Sequence, residues 1–136
     1  MPQLIEELIK DHEMLLEKLD RVKKMSIVKS EGQETLLSIK EGLLKHLKKE
    51  DEKLYPFLNE QANHDRNLRN TLDVLASEMD QITDLAITFF NKYTKVTSGI
   101  PGTTFAMDSG KLLGKLSARI RKEEHILYDE YLRRKS

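Results

Sequence analysis

A histidine and a glutamate one helical turn apart are the first residues in this sequence whose types and spacing could do chemistry. His46 and Glu50 are four positions apart in a run of leucines, lysines and acids that is typical of a helix. Ile39, Leu43 and Leu54 fall on the same stripe of that helix, so the two polar side chains point toward the core. Burying them without partners is costly, which indicates either a hydrogen-bond network or a bound metal ion.

Three further polar residues interrupt apolar stripes in the same way. His12 lies among the apolar positions of a predicted first helix, His64 among those of a third, and Glu123 near the centre of a fourth. Histidines and carboxylates from neighbouring helices are the side chains with which helical bundles hold metal ions. The candidate metal ligands are therefore His12, His46, Glu50, His64 and Glu123.

Four helices must position these residues. Ser30 followed by Gln33 resembles a capping box that opens the second helix. Pro56 disfavours helical geometry in the residue before it, so the second helix should end or kink there. The predicted bounds are Pro2 to about Met25, Ser30 to Pro56, Gln61 to Tyr93 and, after a breaker-rich loop over 97–103, a last helix capped by Thr103 or Thr104.

The second half of the chain repeats the first. A shift of 73 residues aligns apolar with apolar and acidic with acidic positions of the second and fourth helices. It lays Glu50 on Glu123 and His46 on Arg119. These patterns predict an all-α fold, an up-down-up-down four-helix bundle built from a duplicated helical hairpin, with residues 1–136 as one domain.

The register of each hairpin predicts which residues share a layer. Residues at one level of an antiparallel hairpin lie equally far from its turn. The midpoint of His12 and His46 is residue 29, and that of Glu50 and His64 is residue 57, beside Pro56. Both midpoints fall at predicted connections, and a shift of 52 residues also lays His12 on His64, so we expect all four side chains in one layer.

The same register leaves surplus chain in the second hairpin. Between His64 and Arg119 lie 55 positions, against 34 between His12 and His46, a surplus of 21 residues. These residues should fall within Ile82–Met107, which is too apolar for a free overhang. We expect this segment to form a cap or a surface through which the chain forms a homodimer.

Composition excludes several other classes of function. The chain has 136 residues, no cysteine, and 23 basic against 23 acidic residues. Without cysteine there can be no thiolate metal site, disulfide or thiol catalysis, so a metal would be held by histidine, carboxylate and water. Zero formal charge argues against nucleic-acid and anionic-membrane partners. With no apolar run long enough for a membrane span and no leader pattern, we expect a cytoplasmic protein.

An isolated histidine followed by His-x-x-x-Glu, and then a second copy of both, resembles the pattern of the hemerythrin-like, or HHE cation-binding, family. The copies here are His12 with His46-x-x-x-Glu50 and His64 with Arg119-x-x-x-Glu123. The resemblance covers nearly the whole chain and implies a four-helix bundle with a non-haem di-iron centre used for oxygen binding, oxygen or nitric-oxide sensing, or iron handling. It also implies that both glutamates bridge the irons, that His12 and His46 bind one iron, and that His64 binds the other.

Arg119 departs from this family pattern, in which a last-helix histidine would bind the second iron. Arginine stays protonated in proteins, so it cannot be a ligand and would repel a cation beside it. Its guanidinium could instead reach Glu123, one turn away, and supply positive charge where the second metal would stand. We therefore expect one iron rather than two, with positions open for a diatomic molecule and with His64 as a weak or indirect partner of His12, His46, Glu50 and Glu123.

Two other functions stay open at this point. An iron with open positions could reduce peroxide or process nitric oxide, which would make the protein an enzyme. A decayed site would instead leave Arg119, Glu50 and Glu123 as a buried salt-bridge network. The chain would then be a metal-free bundle that acts as a structural or protein-interaction module.

Overall fold

The chain folds as four helical rods, which confirms the predicted all-α four-helix bundle. The computed structural model describes residues 2–25, 29–94 and 102–135, and no strand occurs in these ranges. No helix within them is long and apolar enough to cross a membrane. The first rod is α1 (Gln3–Val22), and the third is α4 (Arg66–Tyr93). The second rod consists of α2 (Ser30–Lys49), a first π-helical turn (Glu50–Leu54) and α3 (Tyr55–Ala62). The fourth consists of α5 (Gly102–Lys122), a second π-helical turn (Glu123–Leu127) and α6 (Tyr128–Lys135).

Apolar stripes at helical spacing hold the rods together in two clusters, one toward each end of the bundle. One cluster includes Leu15 and Leu43, and the other includes Leu8 and Leu54. His12 lies between Leu8 and Leu15 on α1, so the buried polar residues form a layer between the two clusters. The amphipathic pattern thus determines which faces of the rods pack together and where along the bundle the polar layer lies.

The second rod passes Pro56 without ending, so of the two predicted outcomes, an end or a kink, the helix end is wrong; the regular α-helix is instead interrupted by a π-helical turn just before Pro56. Tyr55 donates its backbone N–H to the carbonyl of Glu50, five residues back, which makes the first π-helical turn. Tyr128 donates to the carbonyl of Glu123 in the second π-helical turn. The two turns are 73 residues apart, the shift at which the sequence repeats, and this match supports a duplicated hairpin.

The connection between the second and third rods lies at 63–65 rather than at residue 57. Asp65 caps α4, because its side chain accepts a hydrogen bond of 3.1 Å from the Leu68 N–H. His64 lies in this turn and is exposed. The prediction that His64 points into the bundle is therefore wrong. The alignment of His12 on His64 fails with it, since His12 lies within a helix and His64 does not.

Two predicted helix caps also differ from the structure. Helix α2 follows Lys29, with no side-chain cap, and Gln33 donates its side-chain amide to the Tyr93 carbonyl at 2.8 Å. In place of the expected capping box, Gln33 thus forms a hydrogen bond between α2 and α4. Helix α5 already includes Gly102, so Thr103 and Thr104 lie inside it rather than capping it. The rest of the predicted loop, up to residue 101, lies outside the described residues.

The described parts of the apolar stretch Ile82–Met107, residues 82–94 and 102–107, belong to the ends of α4 and α5 that face the loop. Leu75, not His64, faces Arg119, and 44 positions rather than 55 separate that pair. About half of the surplus chain thereby disappears, since 44 positions exceed the 34 of the first hairpin by 10 rather than 21. Four aromatic residues of the stretch pack in the chain's own core, namely Phe89, Phe90, Tyr93 and Phe105, whereas Ile87 and Met107 are exposed. Self-association through this stretch stays a prediction.

Candidate metal site

The structure brings four of the five predicted ligands together at the centre of the polar layer. His12 comes from α1, His46 from α2, and Glu50 and Glu123 each begin a π-helical turn. One nitrogen or oxygen atom from each lies within 4.8 Å of the others. All four side chains are buried. The fifth candidate, His64, is absent from this group because of its place in the exposed turn at 63–65.

The spacing of these atoms suits one metal ion. His12 Nε2 lies 2.8 Å from Glu123 Oε1. His46 Nε2 lies 3.4 Å from Glu50 Oε2 and 3.7 Å from Glu123 Oε1. Two donor atoms each about 2.1 Å from a metal and at right angles would be about 3.0 Å apart. The nearest contacts therefore have the dimensions of the edges of a coordination polyhedron.

An unsatisfied ring nitrogen gives independent support for this fit. His46 Nε2 is buried and has no hydrogen-bond partner. Such a group carries a desolvation penalty that native proteins rarely tolerate without a ligand or a functional reason. A metal ion among the four side chains would use this nitrogen, so the residues fit one of the two metal ions that the family resemblance implies.

Carboxylates behind both histidines fix the direction of the rings. His12 Nδ1 lies 2.7 Å from Glu124 Oε2, and His46 Nδ1 lies 3.0 Å from Asp11 Oδ2. Lys49 donates to the same Asp11 oxygen at 3.1 Å. Metal-binding histidines typically use their second nitrogen in this way, which orients the ring and raises its basicity. Both Nε2 atoms consequently face the centre of the layer.

Arg119 occupies the other side of the layer, and each nitrogen of its guanidinium donates a hydrogen bond to a different element. Its Nε donates to Glu123 Oε2 at 3.0 Å, and one terminal nitrogen donates to the Leu75 carbonyl of α4 at 2.7 Å. The second terminal nitrogen donates to Tyr55 Oη at 3.0 Å. The side chain is 2% exposed. A fixed positive charge thus stands beside Glu123 on the side away from His12.

Tyr128 also reaches the site. Its hydroxyl donates to Glu50 Oε2 at 2.7 Å and lies 3.2 Å from His12 Nε2 and 3.3 Å from Glu123 Oε1. The ring stacks on His12, with centroids 5.6 Å apart. Burial, followed by the negative charges of Glu123 and Glu50, raises the pKa of Tyr128. The phenol therefore keeps its proton in the metal-free protein.

The charges of the layer shift the pKa values of its acids in opposite directions. Burial alone would raise the pKa of Glu123, but its contacts with His12, His46 and Arg119 outweigh burial and lower it. Burial raises the pKa of Glu50, and the neighbouring charge of Glu123 adds to the shift against the effect of His46. Glu123 is therefore the fixed anion of the layer, and Glu50 is the acid that binds a proton more readily.

The pKa of His46 is raised by the acids around it. Burial lowers the pKa of its imidazole, but the carboxylates of Glu123, Glu50 and Asp11 outweigh burial and raise it to about 10. At neutral pH the metal-free site thus holds a protonated His46. A metal ion would have to displace this proton.

The sequence pointed to four of these residues and missed others. The predicted site residues did not include Tyr128, Asp11 or Glu124. Two signals were present: a Leu-Tyr pair follows Glu50 and Glu123 at matching distances, and an acid stands next to His12 and to Glu123. Neither signal shows which side chains reach the site, because that depends on the π-helical turns and on how each rod is rotated relative to its neighbours.

The comparison with family descriptions agrees with this geometry. The hemerythrin HHE cation binding domain matches residues 3–131, which is nearly the whole chain. No curated protein and no solved structure matches the chain significantly. Four buried metal-binding side chains in the central layer of a four-helix bundle are consistent with this match. The chain belongs to the hemerythrin HHE cation binding domain family.

Proposed function

We propose that this protein binds one non-haem iron and uses it to bind or sense a diatomic molecule, oxygen or nitric oxide. Imidazole and carboxylate ligands together suit divalent iron, and the chain has no cysteine that would favour a softer metal site. His12, His46, Glu50 and Glu123 would hold the ion. Bound iron would supply open coordination positions and one-electron chemistry at the centre of the bundle.

Arg119 is the observation that carries the choice of one iron over two. Its guanidinium donates to Glu123 and to the Leu75 carbonyl, so it fills the half of the layer opposite His12 and His46. A second cation would stand against this fixed positive charge. The facing part of α4 offers the site a main-chain carbonyl rather than a histidine.

The remaining residues of the site would hold the ligands and control access. Asp11 and Glu124 keep both imidazole rings directed inward, and the apolar clusters on either side limit entry of water. A cavity of about 220 Å³ between α4 and α5 has Arg119 in its lining together with Ile82 and Leu85. This cavity is a route by which a small neutral molecule could approach the layer from the Arg119 side.

Metal analysis of anaerobically purified protein tests the proposal. We expect one iron per chain, and addition of nitric oxide should produce a new visible absorption band. His46→Ala should abolish stoichiometric iron binding, whereas the matched control His64→Ala should retain it. Two irons per chain would contradict the role given to Arg119, and a protein that binds no iron would contradict the proposal itself. Catalytic turnover of peroxide or of nitric oxide by the iron form would favour an enzyme over a sensor.

An apolar groove supports a second candidate, an interaction module that works without metal. The groove lies between α2 and α4, has a volume of about 280 Å³ and includes Leu44 and Ile87, which are 53% and 50% exposed. Ile87 belongs to the stretch in which we expect homodimer contacts. A dimer in light scattering that persists after chelation and is lost in Ile87→Ser would favour this function. A monomer under both conditions would exclude this form of it.

A further inference from the structure

Tyr128 is a buried side chain of the layer to which the proposed iron site gives no role. Its hydroxyl oxygen lies 2.7 Å from Glu50 Oε2, 3.2 Å from His12 Nε2 and 3.3 Å from Glu123 Oε1. Three of the four donor groups therefore surround this oxygen. No other tyrosine in the described residues has such contacts.

These distances are those expected between ligands of the same ion. Donor atoms at right angles and about 2.1 Å from a metal are about 3.0 Å apart. The contacts of Tyr128 Oη fall in the same range as the contact between His12 Nε2 and Glu123 Oε1, at 2.8 Å. The hydroxyl oxygen thus lies close enough to these donor atoms that it could bind the same ion.

The second π-helical turn is what brings Tyr128 to this position. Residues five apart on an α-helix are about 140° apart around its axis, so Tyr128 would leave the face that carries Glu123. In the π-helical turn the Tyr128 N–H bonds the Glu123 carbonyl, which widens the turn and returns the tyrosine toward that face. Turns of this kind are frequent at functional sites.

The other repeat contains a natural comparison. Tyr55 follows Glu50 by the same five positions, after the first π-helical turn. Its hydroxyl accepts a hydrogen bond from Arg119 at 3.0 Å. Tyr55 therefore faces the fixed cation, whereas Tyr128 faces His12 and both glutamates.

We propose that Tyr128 is a fifth ligand of the iron, bound through its phenolate oxygen. This inference rests on the proposed iron site. On binding, the O–H bond that now points to Glu50 breaks, the proton passes to the solvent buffer, and an iron–oxygen bond forms. The resulting set has two nitrogen and three oxygen donors, all from residues in the layer.

Spectroscopy of the ferric protein tests this ligand. The chain is loaded with Fe(II) without oxygen and oxidised with ferricyanide, which takes up the electron and becomes ferrocyanide. We expect a phenolate-to-iron charge-transfer band in the visible spectrum, with tyrosine ring vibrations in the resonance Raman spectrum that shift when ring-deuterated tyrosine is incorporated. This measurement needs no substitution and so does not depend on the folding of a variant.

Two variants assign the ligand. Tyr128→Phe should lose the band and the ring vibrations while it still binds one iron per chain, and Tyr55→Phe should keep both. Iron-loaded wild-type protein without phenolate vibrations would overturn the inference and leave the iron site standing, as would a Tyr128→Phe variant that keeps the band. Failure of the wild-type protein to bind iron would overturn the proposed function together with this inference.

Discussion

The two repeats share one backbone design and differ in the charge that they bring to the polar layer. In each repeat a glutamate opens a π-helical turn, Glu50 in the first and Glu123 in the second. One helical turn before it stands His46 in the first repeat and Arg119 in the second. The first repeat thus offers a nitrogen that can bind a metal, and the second offers a permanent cation.

This difference indicates how the layer balances its charge. Two buried glutamates require positive charge nearby, because unpaired buried anions are very costly. Arg119 supplies one such charge at all times. The other comes from a metal ion or, in the metal-free protein, from the proton that His46 holds through its raised pKa. Substitution of Arg119 tests the permanent charge, and a change of pH tests the exchangeable charge on His46.

Arg119→Met should have the largest effect on stability. It removes the cation beside Glu123 and leaves the Leu75 carbonyl and Tyr55 without their donor. Loss of one partner from a buried ion pair costs about 3–5 kcal/mol. Urea unfolding of chelator-treated protein measures the change. The matched control Arg121→Met, at an exposed position, should stay within about 0.5 kcal/mol of wild type. A small loss for Arg119→Met would show that the permanent charge is dispensable.

The exchangeable charge should make the metal-free protein less stable at high pH. His46 has a pKa of about 10 in the folded protein, against 6.5 for an ordinary histidine. Its contribution is complete below about pH 6.5 and is lost as the pH rises through about 10. The free energy of unfolding of chelator-treated protein, measured across this window, should fall more steeply for wild type than for His46→Gln. Parallel profiles would remove His46 as the carrier of that charge.

Loss of the carboxylate behind either histidine should weaken iron binding to a similar extent. Asp11→Asn acts on His46, and Glu124→Gln acts on His12. Substitutions of this kind typically cost about 10–100-fold in metal affinity. Competition with a chelator measures the affinity, and Glu13→Gln, an exposed neighbour, is the control. If only one variant lost iron affinity, only the histidine beside the substituted carboxylate would contribute to iron binding.

The smallest effect is expected at the histidines outside the layer. His64 and His125 are both exposed. Alanine at either position should leave the iron content unchanged and the free energy of unfolding within about 0.5 kcal/mol. Elemental analysis and urea unfolding measure the two quantities. Loss of iron in His64→Ala would mean that the metal-loaded protein rearranges the turn at 63–65.

Local geometry explains what could be predicted from the sequence. His12, His46, Glu50 and Glu123 stand at helical spacing among leucines, and that spacing alone determines which face of a helix they share. Their burial in one layer follows from amphipathic helices that pack together. Arg119 could be paired with Glu123 for the same reason, since residues four apart are neighbours on a helix.

The position of a turn and the pitch of a helix explain what could not be predicted. In an antiparallel hairpin, a turn displaced toward the end of the chain, from residue 57 to 63–65, moves the facing residue by roughly twice that displacement. His64 was therefore lost from the layer, and Leu75 took its place opposite Arg119. Pro56 removes a backbone donor, which equally suits a helix end or a π-helical turn. Only the structure distinguishes these outcomes, and the place of Tyr128 depends on the second turn of this kind.

The hydrogen bond from Arg119 to the Leu75 carbonyl affects which amino acids positions 75 and 119 can accept. Helix α4 brings no charged or imidazole side chain to the described group of donors, yet it is tied to the layer through its main chain. A carbonyl oxygen is present whatever amino acid occupies position 75. Another apolar residue of similar volume at this core position can therefore keep the hydrogen bond, whereas position 119 must keep its donor.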